Sequence, residues 1–207
     1  MFVQVIQGRV SDAGRLRARM DQWLRDLSAG ATGWLGSTAG VTADGTGIAL
    51  ARFESADAAR RNSERPEQDQ WWAETAKLFD RDVMFHDCSE VHVFGQGGSG
   101  DAGFVQVMQG RYTDPAKAVE LLRRSERPLR ELRPDVIGGE LCLHGDGGFT
   151  QAVYFTSESE ARAGENKQPP PEAQALLEEE AAITTDLVFY DLTDPWLHSP
   201  DDAHRAL

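Results

Sequence analysis

Cysteine is nearly absent: the 207-residue chain carries two, Cys88 and Cys142. Two thiols form at most one disulfide and fall short of a four-thiolate metal site, so a reducing, cytoplasmic setting is expected. Also missing is any apolar run of the roughly 18–20 residues that a membrane helix requires. Met1 leads directly into a strand-like segment, without the basic stretch and apolar core of a secretory signal. Positive charge is scarce as well. Lys and Arg number 21 against 34 Asp and Glu, for a net charge of −13. Nonspecific nucleic-acid binding and docking on anionic lipid both rely on clustered Lys and Arg, so neither partner is expected.

What is present is an internal repeat. Phe2–Arg9 reads FVQVIQGR and Phe104–Arg111 reads FVQVMQGR, 102 positions later. The same spacing relates Asp12 to Asp114, Asp44-Gly45 to Asp146-Gly147, and Phe53 to Phe155. Two extra residues near Gln168–Pro171 shift it, so that Phe85-His86-Asp87 corresponds to Phe189-Tyr190-Asp191. The chain therefore divides into two units, residues 1–94 and 104–194, with a Gly-rich linker over 95–103 and a tail over 195–207. The linker contains the G-x-G-x-x-G run Gly95–Gly100, which opens no helix and reads as a connection rather than a phosphate loop.

Within each unit the pattern is β-α-β-β-α-β. Phe2–Val10 has strand character, Asp12 is an N-cap, and Leu16, Met20, Trp23 and Leu27 recur at helical spacing. Pro128 is expected to kink or interrupt the matching helix of the second unit. Asp44-Gly45 and Asp146-Gly147 are hairpin turns. Ser55 and Ser157 cap a second helix that breaks and restarts at Pro66 in one unit and near Pro169–Pro171 in the other. A strand over Asp82–Cys88 or Asp186–Leu192 ends each unit. This is the ferredoxin-like order, whose helix-free sheet face must be buried; with two units in one chain, packing the two sheets on each other is the simplest solution.

That order and length resemble the dimeric α+β barrel superfamily, in particular fused tandem members. Ala51–Phe53, Asn62–Glu67 and Trp71-Trp72 also resemble uncharacterised tandem proteins of actinomycetes. The resemblance implies an intramolecular α+β barrel, monomeric or weakly dimeric, and a small apolar or aromatic ligand. Antibiotic-biosynthesis monooxygenases of this superfamily oxidise aromatic polyketides without metal or flavin, with side chains that include an Asn and a Trp; Asn62 and Trp72 match in type. Haem-degrading relatives use an Asn on the first strand and a His on the second helix. Here the strands offer Gln4 and Gln106 and those helices contain no His, so no cofactor is expected.

Two sets of residues are candidates for chemistry. Alternation along the strands predicts that Arg52, His86, Glu140, His144, Tyr154 and Tyr190 share the helix-free faces, with Gln4 and Gln106 joining them. This set is either an acid–base site with His86 or His144 as base and Asn62 or Arg52 polarising an oxygen, or a satisfied buried network that docks the units. The other set is Asn62, Trp71 and Trp72 between sheet and second helix of the first unit, where the tryptophans either stack on a flat ligand or fill a core. His86 and Cys88 lie two apart on one strand, too few ligands for zinc. His198 and His204 belong to the tail, disordered or packed down. The alternative to a small-molecule protein is a noncatalytic stress-response or interaction protein that uses the barrel as scaffold.

Overall fold

The computed structural model describes residues 1–98 and 100–205. The chain divides into two units, Met1–Ser89 with Asp194–Leu207, and Glu90–Thr193. In the first, β1 (Phe2–Arg9), β2 (Trp34–Val41), β3 (Thr46–Phe53) and β4 (Met84–Cys88) are accompanied by α1 (Ala13–Asp26), α2 (Ala56–Ser63) and α3 (Pro66–Thr75). The next strand, β5 (Glu90–Gly95), belongs to the second unit. It is followed there by β6 (Phe104–Tyr112), α4 (Pro115–Leu132), β7 (Val136–Leu143), β8 (Gly148–Phe155), α5 (Glu158–Glu165), α6 (Pro171–Ile183) and β9 (Thr184–Leu192). The chain then returns to the first unit with β10 (Trp196–His198) and α7 (Pro200–Arg205).

Each unit is thus α+β and ferredoxin-like with one added strand. The antiparallel sheets run β10-β2-β3-β1-β4 and β5-β7-β8-β6-β9. The added strand is reciprocal: β5 follows the first unit but pairs with β7, and β10 follows the second but pairs with β2. Sequence reasoning left both segments outside the strand count, because each is short and borders residues with linker or tail composition.

Local signals explain the shared geometry. Asp12 and Asp114 each accept a backbone N–H three residues on, at 2.9 Å, capping α1 and α4, and Ser55 and Ser157 cap α2 and α5 likewise. Gly45 and Gly147 adopt φ of 86° and 88° in the two hairpin turns, a conformation that glycine takes without steric cost. Pro128 does not interrupt the helix: α4 continues past it to Leu132. A helix of 18 residues retains its other hydrogen bonds and tolerates the loss of one. No helix among the described residues is long and apolar enough to cross a membrane.

The cores lie between sheet and helices. In the second unit Leu141, Leu143, Phe149 and Tyr112 pack under Ala118 and Val119 of α4, with Tyr112 stacked on Phe149 at 4.1 Å. In the first, Phe2, Trp34 and Phe53 gather with Ala58 and Ala59 of α2 at one end of the sheet, and Ala39, Leu16, Leu78 and Trp196 at the other. Between those two clusters the first unit is open.

Candidate functional site

The opening is a cavity of about 450 Å³, within the range that encloses small-molecule ligands. Its floor is the helix side of the first sheet. Gly47, Ala49 and Ala51 of β3 and Ser37 and Ala39 of β2 line it, side chains too small to reach the helices. The walls are aromatic: Trp23 of α1, Trp71 and Trp72 of α3, Phe85 of β4 and Trp196 of β10. Trp72 meets Phe85 edge-on with centroids 5.4 Å apart and lies 6.3 Å from both Trp71 and Phe79. Such rings offer a large apolar contact area to a flat molecule.

Polar groups are few and mostly committed to the frame. Trp23 donates its indole N–H to Gln68 at 2.6 Å, and Trp71 donates to the carbonyl of Arg19 at 3.1 Å. Gln4 Nε2 donates to Asp87 Oδ1 at 2.9 Å. Asn62 is different. It is 7 % exposed, and its Oδ1 accepts from Arg65 at 2.9 Å. Because a guanidinium only donates, this bond fixes the amide orientation and turns Nδ2 into the available end. Nδ2 has no partner among the described residues. The indole N–H of Trp72 likewise has none. Both donors belong to residues that line the cavity, where an oxygen acceptor on a ligand would satisfy them.

His198 reaches the same cavity from β10, where it pairs in register with Ser37. Its side chain is 14 % exposed, and Nε2 stands 3.5 Å from Asp21 Oδ1. Burial lowers its pKa below the usual imidazole range, outweighing the upward pull of Asp21. The imidazole is therefore neutral near pH 7 and able to accept a proton.

The structure separates the residues singled out from sequence. Asn62, Trp71, Trp72 and Gln4 line one cavity. Gln4 and Gln106 are corrected: both occupy the helix side of their sheets, each donating to an aspartate at 2.9 Å, Asp87 and Asp191. The first strand is apolar on both faces, so alternation there did not distinguish them.

Arg52, His86, Glu140, His144, Tyr154 and Tyr190 project from the other faces of their sheets and take no part in the cavity. Arg52 donates to Thr38 at 2.7 Å, Tyr154 to Glu140 at 3.3 Å, and His144 lies 2.9 Å from Thr150 Oγ1. Tyr190 pairs in register with Val107, and His86 with Val5. Sequence reasoning missed Trp196 and His198. The signal was the period-two pair in Trp196-Leu197-His198, which puts both side chains on one strand face. The side chain of His204, like Ser99 of the Gly-rich run, lies outside the described residues.

No protein-family model matches the chain, and no curated protein matches its sequence. Solved structures do. A candidate monooxygenase from Lactobacillus acidophilus superposes with a TM-score of 0.75 over 96% of this chain and 95% of its own, at 10% identity. A second candidate monooxygenase, from Fusobacterium nucleatum, gives 0.75 over 96% and 94% at 7% identity. An anthrone oxidase-like protein gives 0.68 over 95% and 92% at 12% identity. At these identities the likeness speaks for the fold. This chain has the two-unit, ferredoxin-like α+β fold of monooxygenase-like proteins.

Proposed function

We propose that the cavity of the first unit binds a flat apolar or aromatic molecule and acts on it without a cofactor, by oxidation or isomerisation. The observation that carries this reading is the amide of Asn62, whose Oδ1 is held by Arg65 and whose Nδ2 is left for a ligand, in a cavity with aromatic walls that His198 also lines. The roles follow from chemistry. His198 takes a proton from a carbon conjugated with a carbonyl, as the methylene of anthrone is through its fused rings, and Asn62 donates to the oxygen on which negative charge develops. The resulting enolate has two fates. Reprotonation at another carbon is an isomerisation. Reaction with dioxygen converts a methylene to a ketone, with O₂ supplying the new oxygen and leaving as water, so that R₂CH₂ and O₂ give R₂CO and H₂O.

The fold of the neighbours supports the reading, and one of them is anthrone oxidase-like. Anthrone is accordingly the first probe. Oxygen uptake and quinone formation above the buffer rate are expected, and both are expected to fall about 10²- to 10³-fold in Asn62→Ala, the range for losing one oxyanion-hole donor. Thermal stabilisation by anthrone that vanishes in Trp72→Ala would place binding in this cavity. Stabilisation without turnover would retain the binding half and favour a noncatalytic interaction protein. No stabilisation by any flat tricyclic compound would end the proposal.

A further inference from the structure

The charge around the cavity differs between the units in a way that bears on its ligand. Gln4 and Gln106 make the same bond, to Asp87 and Asp191. In the second unit Arg162 of α5 reaches Asp191 and neutralises it. The arginine at the corresponding place in α2, Arg60, instead pairs with Asp57 at 3.5 Å and Glu64 at 2.8 Å on its own helix. Asp87 therefore has Gln4 as its partner and no cation among the described residues. Asp69 at the cavity edge repeats this. Its neighbours along α3, Glu67 and Glu74, are paired with Arg65 and Lys77, whereas Asp69 has no ion-pair partner. Neither Lys nor Arg lines the cavity.

Two exposed carboxylates without an ion-pair partner at the rim of an apolar site repel anions and attract cations by Coulomb forces, and Trp23 and Trp72 add cation–π attraction, Trp71 and Trp196 already meeting Arg19 and Arg17 of the chain itself. Resting on the reading of this cavity as a small-molecule site, we propose that its ligands are flat aromatics that carry a positive charge, such as a protonated aryl amine, with Asp87 as counter-ion. The geometry leaves Asp87 Oδ2 for the ligand while Oδ1 stays bonded to Gln4.

The test uses the full chain and three tricyclic probes of similar size. 9-Aminoacridine is a cation at neutral pH, anthracene-9-methanol is neutral, and anthracene-9-carboxylate is an anion. Affinities come from quenching of tryptophan fluorescence. The cation is expected to bind at least about tenfold more tightly than the neutral compound and the anion more weakly than both, with the cation's advantage shrinking as salt is raised. Asp87→Asn keeps an acceptor for Gln4 and is expected to bring the cation to within about threefold of the neutral probe, consistent with loss of one ion pair. Binding of the neutral probe to the variant reports that its cavity is intact. Equal or tighter binding of the anion overturns the charge proposal while leaving the small-molecule site in place. So does a cation-to-neutral ratio unmoved by Asp87→Asn. Failure of all three probes to bind overturns both.

Discussion

Beneath α1 and α3 the first unit has Ala39, Gly47, Ala49 and Ala51, and at the corresponding places the second has Leu141, Phe149, Gln151 and Val153. The added strands follow suit. His198 on β10 stands where Phe94 stands on β5, and Phe94 packs so closely on Gly139 that a Cβ there would lie 2.2 Å from its ring. Asn62 is matched by Gly164, and the room left by that glycine is taken by the Arg133 guanidinium. One backbone design thus supports a filled core and an open one. The difference lies in side-chain volume on the sheet, not in topology, and it leaves the cavity in the first unit.

The comparison is most easily broken from the filled side. Phe149→Ala in the second unit removes a ring that is 2 % exposed and stacked on Tyr112, and it is expected to cost about 3–5 kcal/mol in denaturant melts. Filling the open side tests it in reverse. Ala39→Leu with Ala51→Val gives the first unit the residues of the second and is expected to weaken 9-aminoacridine and anthracene-9-methanol alike by more than about tenfold, because space rather than charge is lost. A fall confined to the cation would mean that the neutral probe binds elsewhere.

Asn62→Ala leaves Arg65 without that acceptor, and a stability loss of about 1–3 kcal/mol is expected by thermal denaturation alongside the loss of anthrone turnover. The smallest effect is that of His198 on pH dependence. Its pKa is lowered in the folded chain by burial, while Asp21, Asp202 and Arg17 act on it in partly opposing directions. An unfolded imidazole takes its proton near pH 6.5, so the unfolded state binds the proton first and stability falls as pH drops through and below that value, by at most about 1.4 kcal/mol per pH unit for one proton. His198→Gln is expected to flatten this slope between pH 7 and 5; an unchanged slope would assign the acid sensitivity to other groups. The opposite sign operates in the second unit. Burial raises the carboxyl pKa of Glu180, which Tyr112 contacts at 3.3 Å, so its contribution to stability is lost as pH rises.

How far the site could be read in advance follows from these residues. Trp71 and Trp72 stood out because nothing aromatic occupies the second unit's α6. The helices start at Pro66 and Pro171, so Trp71 corresponds to Leu176 and Trp72 to Leu177. Sequence spacing matches them instead to Ala175 and Leu176, one position earlier, because the shift of register is larger in the helix than in the strand after it. Asn62 was also legible, from its place between sheet and second helix and its match in type to the Asn of the monooxygenases. Arg52, His86 and Glu140 were assigned to the right strand face, but their face is not the one that borders the cavity. Gln4 was ambiguous for a simple reason: Val3 and Val5 on one side of β1 and Phe2 and Ile6 on the other are equally apolar.

The sequence by itself determined the local structure of each unit. Its caps, hairpin turns and alternating strands are short-range effects, and the near-identity of Phe2–Arg9 and Phe104–Arg111 located the first strand of both. The tertiary structure alone decided that β5 and β10 cross over to the other unit's sheet. Edge pairing is made of backbone hydrogen bonds, which leave little trace in side-chain pattern. Through that pairing Trp196 and His198, far along the chain from Asn62 and Trp72, become walls of the same cavity. Volume is the other decision that only three dimensions make. Alanine and glycine on a strand are unremarkable one by one, and they become the floor of a cavity where the helices above them leave the gap unfilled.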